Sequence, residues 1–539
     1  LRRIGLVALL AFAGAGFGPS AAADAPRQNA STRPHVLRIG DIGDIATLNP
    51  MLGAQIPLSR MAQLTMAWLV RYDSHNQPVP ELAMQIPSKA NHGISADGRT
   101  ITFHLRRGVK WSDGAPFDAD DVMFTTKVVL DPKTNVLSRS GWNLITRIDE
   151  PDKATIVYHL RRPYASFLPT FFGSAGANPA ILPKHLLEQT TDINSDGYNA
   201  KPVGIGPFRY VEWTRGERVA MEANPNYFRG TPKLQRIEYH IIPSRDTVAL
   251  QMQTGEIDLW PNAARAYYPR LRAIKSLRVV RQPSYGVGHI DFNLDRPLLR
   301  DPRVRRALAL AIDRDALRDK VSRGLGIVQD GLYSRLSPFY DANIATTHRD
   351  IGKARALLDQ AGWKVGPGGI RVKGGRRLSI EFVSNTGSPD TDKQIELIRA
   401  WWKDAGVALE RKTYDLALLF GYPNGMIYTG RFDAILYGWS LSPSGDLSEL
   451  YGCDAAPPRG QNVTRWCNRK AQSAMDAFLA TYDLAQQKRY DAIVQEELAS
   501  DVPSYVVSIP EDIFAYNSDL KNFRPNAVTP FDDFMNVDV

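Results

Sequence analysis

Residues 431–468 read RFDAILYGWSLSPSGDLSELYGCDAAPPRGQNVTRWCN. The apolar run Phe432–Trp439, rich in β-branched and aromatic residues, predicts a buried strand. It stops at Ser440-Leu441-Ser442-Pro443-Ser444-Gly445, a dense turn signal, and Asp446 is placed to cap a short helix beginning at Leu447. A strand that ends in a polar turn at a helix start presents backbone N–H groups and the positive helix end to a crevice, which is a common ligand site in α/β proteins. The same pattern also describes an ordinary buried strand followed by a loop.

The two cysteines of the chain, Cys453 and Cys467, bracket a loop carrying Pro457-Pro458, Gly460 and Asn462. Two cysteines this close in an exported protein are expected to form a disulfide. Closing a loop of about fifteen residues contributes on the order of 3 kcal/mol. The rival reading, a metal or redox pair, has neither a CxxC spacing nor an adjacent histidine behind it. Asn462-Val463-Thr464 matches a glycosylation sequon, expected to be silent in a bacterial protein.

Export is read from the other end of the chain. Arg2 and Arg3 precede the apolar segment Ile4–Phe17, and small residues lead to Ala21-Ala22-Ala23. That is the pattern of a cleavable signal peptide, residues 1–23, cut before Asp24. Its apolar segment is too short to anchor permanently in a bilayer, and no cysteine lies near the cut to carry a lipid. The expected compartment is the periplasm. The remaining length suits two or three domains. The net charge is +9, but the basic residues are scattered, without a run of five or six. Nucleic acid is therefore not expected as a partner, and Arg303, Arg305 and Arg306, grouped on one predicted helix, are read as solvated surface.

Along the chain, His35–Gly40 predicts a first strand, Leu48-Asn49-Pro50 a turn, and Ser59–Val70 a helix. Asp97-Gly98 marks a hairpin turn before the strand Ile101–Arg106. Phe117-Asp118-Ala119-Asp120-Asp121-Val122 begins a helix, its acids complementing the helix dipole rather than forming a metal cluster. A hairpin is expected over residues 147–160, and a loop-rich stretch over 161–200. Pro283–Asn293 reads as a crossing between lobes. Asp301-Pro302 starts a helix by the cap-then-proline rule. Helices over Ile351–Trp363 and Asp392–Ala405 alternate with strands over Leu378–Ser384 and Val407–Tyr414, the pattern of an α/β lobe. Ala471–Leu498 is expected to be helical with mixed charges, followed by a strand Ser504–Ile509 that carries the chain back.

These segments carry a resemblance. Gly438-Trp439-Ser440, the turn, Cys453, Gly460-x-Asn462 and Trp466-Cys467 closely resemble the dipeptide- and oligopeptide-binding proteins of bacterial ABC importers, solute-binding protein family 5. So does the run from Pro80-Glu81-Leu82-Ala83 through Asp97-Gly98, Gly108-Val109-Lys110-Trp111-Ser112-Asp113-Gly114 and Phe117–Val122, and so does Gly204-Ile205-Gly206-Pro207-Phe208. The resemblance spans nearly the whole chain in order. It implies an α/β fold of two lobes joined by two crossings, with a subdomain inserted in the first lobe. The implied divisions are a linker over 24–34, first-lobe segments over 35–75 and 203–286, the insert over 76–202, the second lobe over 287–505, and a return to the first lobe over 506–539.

The function implied is capture of a short peptide or related small solute between closing lobes, with delivery to the permease subunits of an ABC importer. No enzyme, cofactor or metal is expected: the chain has no GxSxG, no HExxH and no paired histidine spacing. A secreted hydrolase using the same cleft is the alternative. A monomer is expected. The candidate ligand contacts are Trp439, Ser440, Leu441, Ser442 and Asp446, with Tyr285 and Asn293 near the crossing and Asn49 opposite. One departure stands out. Peptide-binding members carry an aspartate for the peptide's α-ammonium where this chain has Ser442, and a neutral serine cannot supply that charge-assisted bond, typically worth about 1.5–3 kcal/mol.

Overall fold

The computed structural model describes residues 29–53, 55–136, 138–175, 179–421 and 424–539. The expected signal peptide and its cut lie outside these residues.

Two sheets organise the chain. The first has seven strands in the order Leu277–Pro283, Glu511–Asn517, Leu259–Trp260, Val36–Asp41, Arg236–Ile241, Arg218–Ala223 and Phe208–Thr214. Val36–Asp41 runs parallel to both neighbours, pairing Ile39 with Leu259 on one side and Tyr239 on the other. A central parallel strand is covered on both faces, and Leu37 and Ile39 are fully buried. The second sheet has five strands in the order Ala408–Tyr414, Ser379–Asn385, Ala434–Ser440, Gly286–Phe292 and Ser504–Ser508.

The chain passes between the sheets twice. Strand Leu277–Pro283 leads through Ser284-Tyr285 into Gly286–Phe292, and Ser504–Ser508 leads through Ile509-Pro510 into Glu511–Asn517. The passages lie side by side, with Ser284 N donating to Pro510 O at 3.0 Å.

A third sheet, Thr100–His104, Thr155–Leu160 and Ile145–Asp152, packs against the helix Ala119–Leu130. The acids at that helix start act as a reciprocal cap: Asp118 accepts from Asp120 N, and Asp121 accepts from Asp118 N at 3.2 Å.

Several expectations shift. The first helix spans Ile56–Thr65 instead of residues 59–70. It stops because the Gly204-Ile205-Gly206 turn lies against its last carbonyl: Gly206 N donates to Thr65 O, and a Cβ on Gly204 would fall 2.0 Å from that oxygen. The stretch 471–498, expected to be helical, is divided into two helices, Arg469–Ala480 and Leu484–Asp501, because Asp483 caps the second with bonds from Ala485 N and Gln486 N. Arg305 is not solvated. It is 2 % exposed, and its guanidinium donates to the carbonyls of Leu299, Arg300, Asp501 and Val502. Burial lowers its pKa to about 10, and those carbonyls replace its water.

Candidate ligand cavity

The strand Ala434–Ser440 pairs antiparallel with Gly286–Phe292, placing Ser440 opposite Gly286 next to the first passage between sheets. Leu441 N then donates to Tyr285 O at 2.9 Å, so the loop leaves the sheet at the passage itself. The loop is held by its own side chains. Ser444 N donates to Ser442 Oγ, Asp446 N to Ser444 Oγ, and Asp446 Oδ1 accepts from both Ser448 N and Ser448 Oγ. The short helix starts at Ser448, one residue beyond the expected start, because Asp446 closes its turn on the Ser448 amide.

Below the loop, Tyr333 Oη donates to Gly445 O at 3.1 Å and lies 3.2 Å from Asp491 Oδ1. Burial raises the Asp491 carboxyl to about 7, against the lowering effect of its bonds from Gln495 and Tyr333. A second buried network orients Trp439. Its Nε1 donates to Tyr437 Oη at 3.0 Å, Tyr437 Oη to Asp291 Oδ2 at 2.5 Å, and His289 Nδ1 lies 2.9 Å from Asp291 Oδ1.

This loop and helix form one wall of a cavity of about 340 Å³. Trp439, Ser440, Leu441, Ser442 and Asp446 all line it. The opposite wall comes from Tyr164, Ser166 and Thr170 in the loop-rich stretch, with Trp142 and Met51 beside them. Asp446 keeps some accessible surface because it faces the cavity. Protein surrounds it closely enough that desolvation raises its pKa, opposed by its bonds from Ser448. Among the described residues the lining includes Asp446 and Glu449 and no lysine, arginine or histidine.

The other three candidates lie elsewhere. Tyr285 lines a neighbouring cavity of about 730 Å³, with Tyr72, Phe167, Phe339 and Tyr482, and its hydroxyl donates to Leu336 O. The two cavities share Ser444, and the loop 165–170 contributes to both. Asn49 is 1 % exposed; it accepts from Met51 N and donates to Asn199 Oδ1, so it places Met51 on the cavity instead of lining it. Asn293 is buried, its amide donating to the carbonyls of Gly430 and Phe432.

Sequence reasoning missed Tyr164, Ser166, Thr170, Tyr333 and Glu449. The first three sit in a stretch without periodicity, and the only signal there is a cluster of aromatic and small hydroxyl residues. Cys453 and Cys467 are disulfide-bonded. The loop they close is filled by Asn462, whose amide donates to Gly452 O and Trp466 O, and it reaches the cavity through Gln461.

Residues 77–458 match the bacterial extracellular solute-binding proteins, family 5 Middle. The chain belongs to this solute-binding family. It is 31 % identical over 474 residues to protein XP55 of Streptomyces lividans, covering 87 % of this chain and 82 % of that one. It is 26 % identical over 495 residues to the oligopeptide-binding protein AppA of Bacillus subtilis, covering 90 % and 88 %. The solved structure of AppA with a nonapeptide superposes with a TM-score of 0.79 at 24 % identity, covering 95 % of this chain and 99 % of that chain. That of NikZ from Campylobacter jejuni with Ni(L-His) gives 0.78 at 23 %, covering 94 % and 100 %. The fold is thus the two-lobed α/β fold of these solved binding proteins. Among the described residues of this family 5 protein, no helix is long and apolar enough to cross a membrane.

Proposed function

We propose that this chain is the solute receptor of an ABC importer, capturing a short peptide or related small solute between its lobes in the periplasm and passing it unchanged to the permease subunits. The observation that carries this reading is the cavity walled from two sides. The loop after strand Ala434–Ser440 forms one wall, the loop around Ser166 the other, and among the described residues two adjacent chain passages connect the two sheets. Closure of such lobes removes the solute from water, and the permease can distinguish loaded from empty by shape. The volume, with the larger neighbouring cavity, suits a small ligand. Trp439, Ser440, Leu441, Ser442 and Asp446 are the proposed contacts, Tyr285 serves the adjoining chamber, and Asn49 and Asn293 position their surroundings. AppA was solved with a peptide and NikZ with a metal–amino-acid complex, so relatives hold chemically different small guests.

The test is recovery of the guest. Protein purified without refolding is denatured, and the released small molecules are identified by mass spectrometry. The recovered compound, with di- and tripeptides, is then titrated against the emptied protein. The expected result is a saturable rise in Tm, a smaller radius of gyration and unchanged ligand. Turnover of the ligand, or no guest and no compaction with any candidate, overturns the reading.

A further inference from the structure

This inference rests on the receptor reading and names what sets one wall of its cavity. We propose that Tyr333 and Asp491 are positioning residues for solute binding: Tyr333 holds the cavity loop only while Asp491 keeps its proton, so the solute is bound more tightly in mild acid than in mild base.

One tyrosine proton faces two acceptors. Tyr333 Oη lies 3.1 Å from Gly445 O and 3.2 Å from Asp491 Oδ1, and a hydroxyl has a single proton to donate. No other donor reaches Gly445 O among the described residues. Asp491 Oδ2 already accepts from Gln495 Nε2 at 2.6 Å, so the proton of a neutral Asp491 sits on Oδ1, facing the tyrosine. From there it donates to Tyr333 Oη, which leaves the tyrosine's own proton for Gly445 O. An ionised Asp491 offers acceptors alone. It takes the tyrosine proton in a charge-assisted bond, the stronger of the two choices, and Gly445 O loses its donor.

The exchange takes place out of reach of bulk water, since Tyr333 and Asp491 are each 2 % exposed. Asp491 has no ion-pair partner among the described residues. The titratable groups around the pair are Asp446 and Tyr451, from the loop and its short helix, and Asp341 beyond Tyr333; none is a cation. Lys488, one turn earlier on the helix of Asp491, is exposed. Met475, Phe478 and Val494 complete the contact, sharing a small void with Asp491 beneath Gly445 and Asp446. Burial there raises the Asp491 carboxyl to about 7, which puts the exchange of partners near neutral pH. The consequence for binding follows from what Gly445 joins. Ser444 before it lines both cavities, and Asp446 after it lines the first. Releasing the carbonyl between them frees a stretch that walls both chambers.

The experiment watches the carbonyl itself. Gly445-Asp446 is one of three Gly-Asp pairs in the sequence, with Gly40-Asp41 and Gly43-Asp44. Glycine labelled at the carbonyl carbon and aspartate labelled at nitrogen therefore give three NMR correlations, and Asp446→Asn deletes the one to follow. In the full protein without solute, the Gly445 carbonyl is expected to move upfield as pH rises through about 7, the direction of a lost hydrogen bond. It should stay in place in Tyr333→Phe, which keeps the ring, and in Asp491→Asn, which imitates the neutral acid. Alanyl-alanine, trialanine and any compound recovered on purification are titrated in parallel by calorimetry. Binding is expected to be about fivefold tighter at about pH 6 than at about pH 8, the size of one neutral hydrogen bond, and Asp491→Asn should remove that preference. A carbonyl that does not move in the unaltered protein, or equal affinity at both pH values, overturns this inference and leaves the receptor reading standing, and neither result depends on a variant folding. A preference for acid that Asp491→Asn keeps also overturns it. Failure of every compound to bind at either pH, with none recovered, overturns the receptor reading and with it the effect on solute.

Discussion

Gly445 sits at φ +74°, and a Cβ there would lie 2.5 Å from the Phe339 ring, under a carbonyl held by Tyr333. Both the backbone angle and the close approach require glycine. Gly445→Ala is expected to cost about 2 kcal/mol or more and to weaken ligand binding in parallel, measured by denaturant unfolding and calorimetry. Asp491, the partner of Tyr333, gives a pH prediction. In the unfolded chain it ionises in the ordinary carboxylate range, whereas in the fold burial holds its proton until about pH 7. Its contribution is therefore full below about pH 4 and is lost as pH rises through 7, with a slope approaching about 1.4 kcal/mol per unit. Asp491→Asn should flatten the stability curve in that window; an unchanged slope would show that the proton resides elsewhere. The turn at Gly445 was legible because glycine, serine and proline mark turns by local chemistry. The hold that Tyr333 has on it was not, because Tyr333 and Gly445 are 112 residues apart.

At the scale of elements, helices with a local start signal begin where that signal stands: Asp118 before Ala119–Leu130 and Asp301 before Pro302–Ala311. Errors arose where distant chain decided. The first helix ends against a turn 140 residues away, and Arg305 is buried because the end of helix Leu484–Asp501 lies over it. Arg305→Ala should cost about 3 kcal/mol, since it leaves buried carbonyls of two segments without a donor. The disulfide was legible from spacing and compartment alone. Replacing Cys453 and Cys467 together by serine should lower stability by about 3 kcal/mol in denaturant unfolding. It should also loosen the cavity wall, because the closed loop carries Gln461, whose N–H donates to Glu449 O at 2.9 Å.

For the whole molecule, the break between the helices Arg469–Ala480 and Leu484–Asp501 carries Tyr482, which reaches the segments flanking the three-stranded sheet. Its hydroxyl donates to Gly98 O at 2.7 Å and accepts from Tyr164 N at 3.1 Å, beside the Phe167 ring. Tyr482→Phe keeps the ring and removes both bonds. It should shift the unliganded protein toward a larger radius of gyration in solution scattering and weaken solute affinity about fivefold. The two-lobed architecture was legible because the α/β alternation and the family's turn motifs run the length of the chain. The far wall of the cavity was not, because its residues share no period and meet the first wall only in the fold.

The strand Glu511–Asn517 lies between Leu277–Pro283 and Leu259–Trp260. It is made after both of these neighbours. Until it arrives, Leu277–Pro283 has no neighbour in its sheet, and the edge of that sheet stays open. Closing of the seven-stranded sheet therefore waits for the last of its strands in chain order, and a chain arrested before Glu511 should leave the edge at Leu277–Pro283 unpaired.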